Sequence, residues 1–579
     1  MFNAYYEQEL GHLRELAGEF AARNPALAPL LGAGLAADPD VERLLEGVAF
    51  LTGLVRQRLE DEFPEFIQHL AQMLYPQYLR SLPCMTIMQF QPKGVLNGTV
   101  TVPAGAQVAS VPIDGARAIF RTTFPIAVEP VSLRAIRWEG EEPAPRSLLL
   151  EFAFEGVGAD TWKASHLRLY LADAFGDASR LLLLLSRHVR EIRIGAPGEP
   201  LTVLGPGAIS MAGFLDDAPL LPRPANVHPA YALLHEYFAF PEKFLFVDIR
   251  GFDQWRARGR NGVFTVRIVF DSVPAWAPEV RQGSMLLNAC PAVNLFEMDA
   301  NPLPIDHRQA EYRLNLGSDG IRSASEIFDI LGVRSMSGGK EITYRPFGAF
   351  DGSRYVYHLR RKPSPVSDGH DYYLSFPLAG SDIGNVEAGG KAQGETLSTQ
   401  LLCTQGRLPE GLRLGDVCQP ADTSPPRMLF RNIRPIAPYR PPPDSDRLLW
   451  RLLSHLTASH LRVTGREQLL SLLRLQVPEL RDGQIDLASQ RRIEGIEALH
   501  VEETRRFIRG LAVDGSEIYL DLNSDHFGGL GGMYLFGCVL DEFFGGVNAL
   551  NTFSELTLRD PSRQQSLRWP ARTGRQRLI

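Results

Sequence analysis

The sequence predicts an α+β protein of several domains, and three observations carry that prediction. Apolar residues recur at helical spacing through about the first 80 positions, alternate at period two from Cys84 to about Pro425, and return to mixed helix and strand after a run of prolines. A chain of 579 residues is also too long for one core. In order, it divides into an N-terminal helical region (1–83), two β-rich, sandwich-like regions (84–285 and 286–434), a Pro-rich linker (435–443) and a C-terminal α+β domain (444–579).

Asn3 is placed to cap a first helix in which Tyr6, Leu10, Leu13, Ala17 and Phe20 share one stripe. Asp38 and Pro39 open a second, where Val41, Leu44, Leu45, Val48, Leu51, Val55 and Leu59 recur. Pro64 predicts a fresh helix start, and Phe66, Ile67, Leu70, Met73 and Leu74 continue the pattern until Pro76 and Pro83 stop it. Three such helices can pack on one another or leave part of their apolar face to a partner helix, and both readings stay open. Burying one Leu or Val contributes about 1.5–3 kcal/mol, so half a stripe suffices for association.

After Cys84, Asn97-Gly98 between Val95 and the alternating Val100 and Val102 predicts a hairpin. Strands follow at 147–154, 166–171, 191–194, 244–249 and 263–270, with one short helix over 177–188. The second β-rich region carries strands at 310–316, 341–347, 354–359, 371–376 and 397–403, and its glycine-rich stretch 379–394 reads as a mobile loop. So few helices among so many strands favour sandwiches over a parallel α/β sheet. Five prolines in PIAPYRPPP read as an extended linker. Beyond it, helices are predicted at 445–461, 466–475 and 533–544, with strands at 517–522 and 552–558.

Composition excludes several classes. Sixty basic against sixty-seven acidic residues give a net charge of −7, no footprint for a nucleic-acid backbone. The five cysteines are scattered without a CxxC pair, which fits a reducing compartment and predicts no zinc site. MFNAYYEQELGHLREL lacks the basic start and apolar run of a signal peptide, and the apolar runs 181–185 and 534–540 are short for a span, so a cytoplasmic protein that does not itself insert in a membrane is expected.

No cluster of nucleophiles, bases or ligands stands out. His235, His307 and His370 have neither HExxH nor HxH spacing, and His455 and His460 lie on different faces of a leucine-rich helix. Glu297, Asp299 and Asp306 could form the paired carboxylates of a hydrolase, or simply serve turn formation. The tail WPARTGRQRLI, with Arg572, Arg575 and Arg577, reads as a solvated arm or a dock for an acidic partner.

Several stretches together resemble the type VI secretion baseplate family TssF, also called VasA or ImpG. They are DPDVERLLEGVAFLTGLVRQRLEDEFPEF with YPQYLRSLP, LLHEYFAFPEKFLFVDIRGFD, NACPAVNLFEMDANPLPIDHRQAEYRL, YRPFGAF, LLCTQGRLPEGLRLGD, LLWRLLSHL, YLFGCVLDEFFGGVNALNTFSELTL and RTGRQRLI. They run in the family's order along the whole chain. Gln405 stands where an Asn is common, and 457–463 is more polar than usual.

The resemblance implies a structural wedge subunit with no catalytic residues, no cofactor and no metal, working in the cytoplasm and docked at the inner membrane complex through other subunits. It implies two TssF copies per TssG, contacts with TssK and TssE, and wedges placed around the VgrG spike. It further implies a helical bundle shared with TssG, in or beside which Tyr6, Leu10, Leu13, Phe20, Leu44, Val48, Leu51 and Val55 are expected. Two other readings compete: a cytosolic β-sandwich hydrolase acting on carbohydrate through Glu297, Asp299 or Asp306, and a monomeric adaptor whose N-terminal stripe is buried internally.

Overall fold

A computed structural model of the chain describes residues 2–24, 39–74, 76–140, 147–215, 218–223, 227–306, 309–317, 320–337, 340–347, 355–364, 369–376, 395–442, 465–477, 486–508 and 511–574. They belong to two compact units, the first built on Met1–Leu74.

In the first unit, helices α1 (Phe2–Arg23) and α2 (Pro39–Leu74) form an antiparallel hairpin. The expected break at Pro64 does not occur: one helix runs from Pro39 to Leu74 where two were expected. Proline removes a single backbone donor, and a 36-residue helix can absorb that loss.

The second unit assembles strands across the boundaries read from sequence. Its six-stranded sheet places Met85–Pro92 between Ala289–Val293 and Met428–Asn432, so strands from both β-rich regions share one ladder. The division at residue 285 is therefore one of sequence and not of space. Val100–Val102 pairs with Ile126–Val128 and not across Asn97-Gly98, which corrects the expected hairpin. A five-stranded sheet centred on Val263–Phe270 and a four-stranded one containing Phe246–Arg250 and His166–Leu171 complete this part. Helices α3 (Phe175–Arg187) and α4 (Pro229–Ala239) pack within the same core.

An eight-stranded sheet around Glu395–Thr404 and Glu326–Ser337 has a smaller core of its own. Described residues 435–442, expected as a linker, run extended but are fastened. Leu82 and Arg440 exchange backbone hydrogen bonds at 2.9 Å, Ala437 N–H donates to Met85 at 2.8 Å, and Tyr439 is buried.

The C-terminal part adds α5 (Arg466–Gln476), α6 (Leu487–Glu494) and α7 (Leu530–Val547). Strand Leu511–Leu522, helix α7 and strand Thr552–Asp560 form a parallel crossover, and α7 packs on α3 and α4. Its apolar run is longer than 534–540: α7 has the length and composition of a membrane span, yet 83% of it is buried inside the unit. The expected loop 379–394 and helix 445–461 lie outside the described residues.

Candidate assembly surface

The α1–α2 hairpin closes on small residues. Ala49 and Gly53 of α2 are buried, and a Cβ at Gly53 would come within 3.3 Å of the Tyr6 backbone nitrogen, so glycine there permits the close approach of α1. Leu10 and Ala21 fill the same seam. Arg14 with Glu42, and Arg56 with Glu9 at 2.8 Å, pair across its rims. These exposed pairs fix register more than they stabilise.

The seam is offset from the stripe picked out by hydrophobicity. Leu10 is buried, Tyr6 and Leu13 are half-buried, and Phe20 and Val48 are exposed. Leu44, Leu51 and Val55 stand 68%, 62% and 59% exposed. Leu16, Phe50 and Leu54 are also exposed, and sequence reasoning did not single them out. Their signal was available: the Ala49-to-Gly53 spacing marks the face that meets α1, which leaves the larger residues outside. So many large apolar side chains on one hairpin exceed what scattered surface residues explain and make this face the candidate assembly surface.

Outside the hairpin, the residue blocks that carry the family resemblance hold buried polar fasteners. Asn294 is fully buried. Its Oδ1 accepts from Thr404 Oγ1 (2.9 Å) and Gln405 N–H (2.8 Å), and its Nδ2 donates to the Ile119 carbonyl (2.7 Å) and to Gln405 Oε1 (3.0 Å). Gln405 Oε1 also accepts from Ile119 N–H (2.8 Å), while its Nε2 donates to the Arg117 carbonyl (2.7 Å). Three distant segments meet at this knot.

Glu236 of α4 and Lys243 form a buried ion pair, with Glu236 also accepting from Leu220 N–H at 3.0 Å. Burial pushes the Lys243 ammonium pKa down, against the pull of Glu236. Asp248 holds Arg168 through two bonds of 2.7 and 3.0 Å, and that guanidinium lies over Phe124. Asp541 of α7 holds Arg572, and burial pushes its carboxyl up to about 6 despite that partner. Arg572 is thus tied to α7 and not part of a free arm; 575–579 lie outside the described residues.

The carboxylates proposed for a hydrolase sit on the surface or in a local hydrogen bond. Glu297 and Asp299 are exposed on the short strand Phe296–Asp299, where Gln400 Nε2 donates to Glu297 at 3.3 Å, while Asp306 accepts from the Tyr312 hydroxyl at 2.8 Å. His235 lies in α4, His370 starts the strand His370–Ser375, and His307 lies outside the described residues. Among the described residues, no group of three or more His, Cys, Asp or Glu could hold a metal ion.

An apolar hairpin with open faces, and a body locked by buried amide and ion-pair fasteners, define a structural subunit of a larger assembly. The chain belongs to the type VI secretion system TssF family, whose model matches residues 1–576. It is similar to the type VI secretion system component TssF1 of Pseudomonas aeruginosa, with 29% identity over 618 aligned positions and 98% of each chain covered. Among solved structures it resembles a chain of the TssK–TssF–TssG baseplate subcomplex seen by cryo-electron microscopy, with TM-score 0.79, 28% identity, and 92% of this chain and 98% of that one covered. It also resembles a chain of the type VI secretion baseplate complex, with TM-score 0.64, 26% identity and both chains fully covered. The α+β, multi-domain class is that of these baseplate proteins, and the family's place is in the baseplate.

Proposed function

We propose that this chain is a wedge subunit of the baseplate, that it performs no catalysis, and that it joins a TssG partner through the α1–α2 hairpin. The observation that carries the reading is the exposed row Leu44, Val48, Leu51 and Val55, which together with Phe20 offers a helix-binding face. The solved TssK–TssF–TssG subcomplex of a similar chain supports TssG and TssK as partners. A second copy of this chain, TssE and the VgrG spike complete the proposed neighbourhood, in the cytoplasm and docked at the inner membrane complex through other subunits. The subunit works through contact free energy: interfaces with two arrangements close in energy hold the contractile tail ready and then release it.

The test is co-purification with a TssG homologue, read by light scattering against the 64.3 kDa chain. Wild type forms a complex with two copies per TssG. Leu44→Asp/Leu51→Asp, altered only at exposed positions, keeps its fold and loses the complex; retention of the complex by this variant would sink the assignment.

A further inference from the structure

Strand Ile496–Ile508 ends its sheet: Leu511–Leu522 is the strand hydrogen-bonded to it, and among the described residues no strand borders its other side. Beyond Asp514 and Arg505 the two strands run past the neighbouring strand, which begins at Thr552 opposite Asp514, so the hairpin projects as an arm. Phe507 on this arm is 82% exposed. A long projecting edge of this kind is a template for strand pairing.

Its sequence is complementary to itself. Residues 501–507 read VEETRRF. We propose that this edge pairs antiparallel with the same edge of a second copy of this chain, about a two-fold axis through Thr504. This rests on the reading above that a second copy belongs to the assembly, and it supplies the surface.

In that register Glu502 faces Arg506, Glu503 faces Arg505 and Val501 faces Phe507, each pair occurring twice. Moving the register by two residues either way sets Glu503 against Glu503 or Arg505 against Arg505, and like charges directly opposite repel. A two-fold axis normal to the sheet keeps odd residues with odd, so no other face assignment arises. Within one chain both arginines lean inward over their own sheet, Arg505 to Asp514 at 2.5 Å and Arg506 to Glu517 and Glu555. Pairing of the edges would bring the carboxylates of the second copy to the opposite, outer side of these guanidinium groups.

Charge reversal tests this on the full chain. Glu502→Lys/Glu503→Lys alone and Arg505→Glu/Arg506→Glu alone each abolish self-association, because every cross-strand pair becomes repulsive. Mixed in equal amounts they pair with one another, because KKTRR faces EETEE. As a second measurement, Thr504→Cys in a Cys418→Ser background forms a disulfide-linked dimer at least tenfold faster than Gln565→Cys on the far edge of the same sheet. Antiparallel partners on the axis lie about 4.5–5.5 Å apart between Cα atoms, within disulfide reach. Failure of the mixture to associate beyond either variant, or equal crosslinking at 504 and 565, overturns the proposal. Leu44→Asp/Leu51→Asp, which removes TssG capture in the reading above, leaves the crosslink unchanged, so the two readings fail separately.

Discussion

Replacing Asn294 with Leu keeps nearly the same shape and removes all polar function from the knot joining Ile119, Thr404 and Gln405. The Gln405 N–H and the Thr404 hydroxyl lose their acceptor, and the Ile119 carbonyl and Gln405 Oε1 each lose one donor. A buried group left unpaired costs about 1–3 kcal/mol, so the first two alone predict a loss of about 2–6 kcal/mol, and we expect about 3–4. In a body larger than 250 residues each kcal/mol shifts the melting temperature by about 2 °C or less, so Tm falls by roughly 5 °C. Urea titration followed by tryptophan fluorescence and scanning calorimetry both read this change. A variant within about 1 kcal/mol of wild type would refute the idea that this knot fastens the segments. Gln405→Asn is one methylene shorter and no longer reaches both Arg117 and Ile119, which should cost about 1 kcal/mol.

Other expectations follow from the same reasoning. Lys243→Met leaves Glu236 charged in a buried site and should destabilise by about 3–5 kcal/mol, while Glu236→Leu/Lys243→Met recovers most of that loss in the same titration. Asp541 binds its proton more tightly folded than unfolded, being raised from 3.8 to about 6 by burial. Its contribution to stability therefore falls as pH rises from about 4 to about 6 and is flat above. The urea stability of wild type relative to Asp541→Asn should drop by about 2–3 kcal/mol across that window, and an increase would contradict the sign. Burial pushes the thiols of Cys84, Cys290, Cys403 and Cys538 upward, and Cys418 is exposed, so a disulfide reagent should titrate one thiol in the native protein and five in denaturant.

Local periodicity exposed much of the fold. Strands 147–154, 166–171 and 263–270 are where their apolar runs put them, because each is buried along most of its length in a single core. Helix 177–188 is off by one or two residues, a matter of end geometry. What periodicity cannot report is pairing. Nothing local tells Met85–Pro92 that its neighbours lie beyond residues 288 and 427, and nothing in PIAPYRPPP reveals that Arg440 is paired with Leu82. Strand Ile496–Ile508 was missed because HVEETRRFI is too charged to read as strand; its backbone is held by Leu511–Leu522 and not by burial. At the hairpin, the eight residues chosen by hydrophobic period include Leu10, which the seam consumes, and omit Phe50 and Leu54, which it leaves out. Small residues, not large ones, decided where the two helices touch.

The pairing of Met85–Pro92 also sets a timetable for synthesis. Met428 lies 343 positions after Met85, so the strand that flanks it on one side does not exist until most of the chain has been made. At about 5–20 residues per second, Met85–Pro92 spends roughly 17–70 s without that neighbour. During this interval it offers an apolar, unpaired edge to other nascent chains. Any arrangement that covers this strand early, whether a holdase chaperone or slow translation through residues 93–427, would act on yield without altering a single native contact.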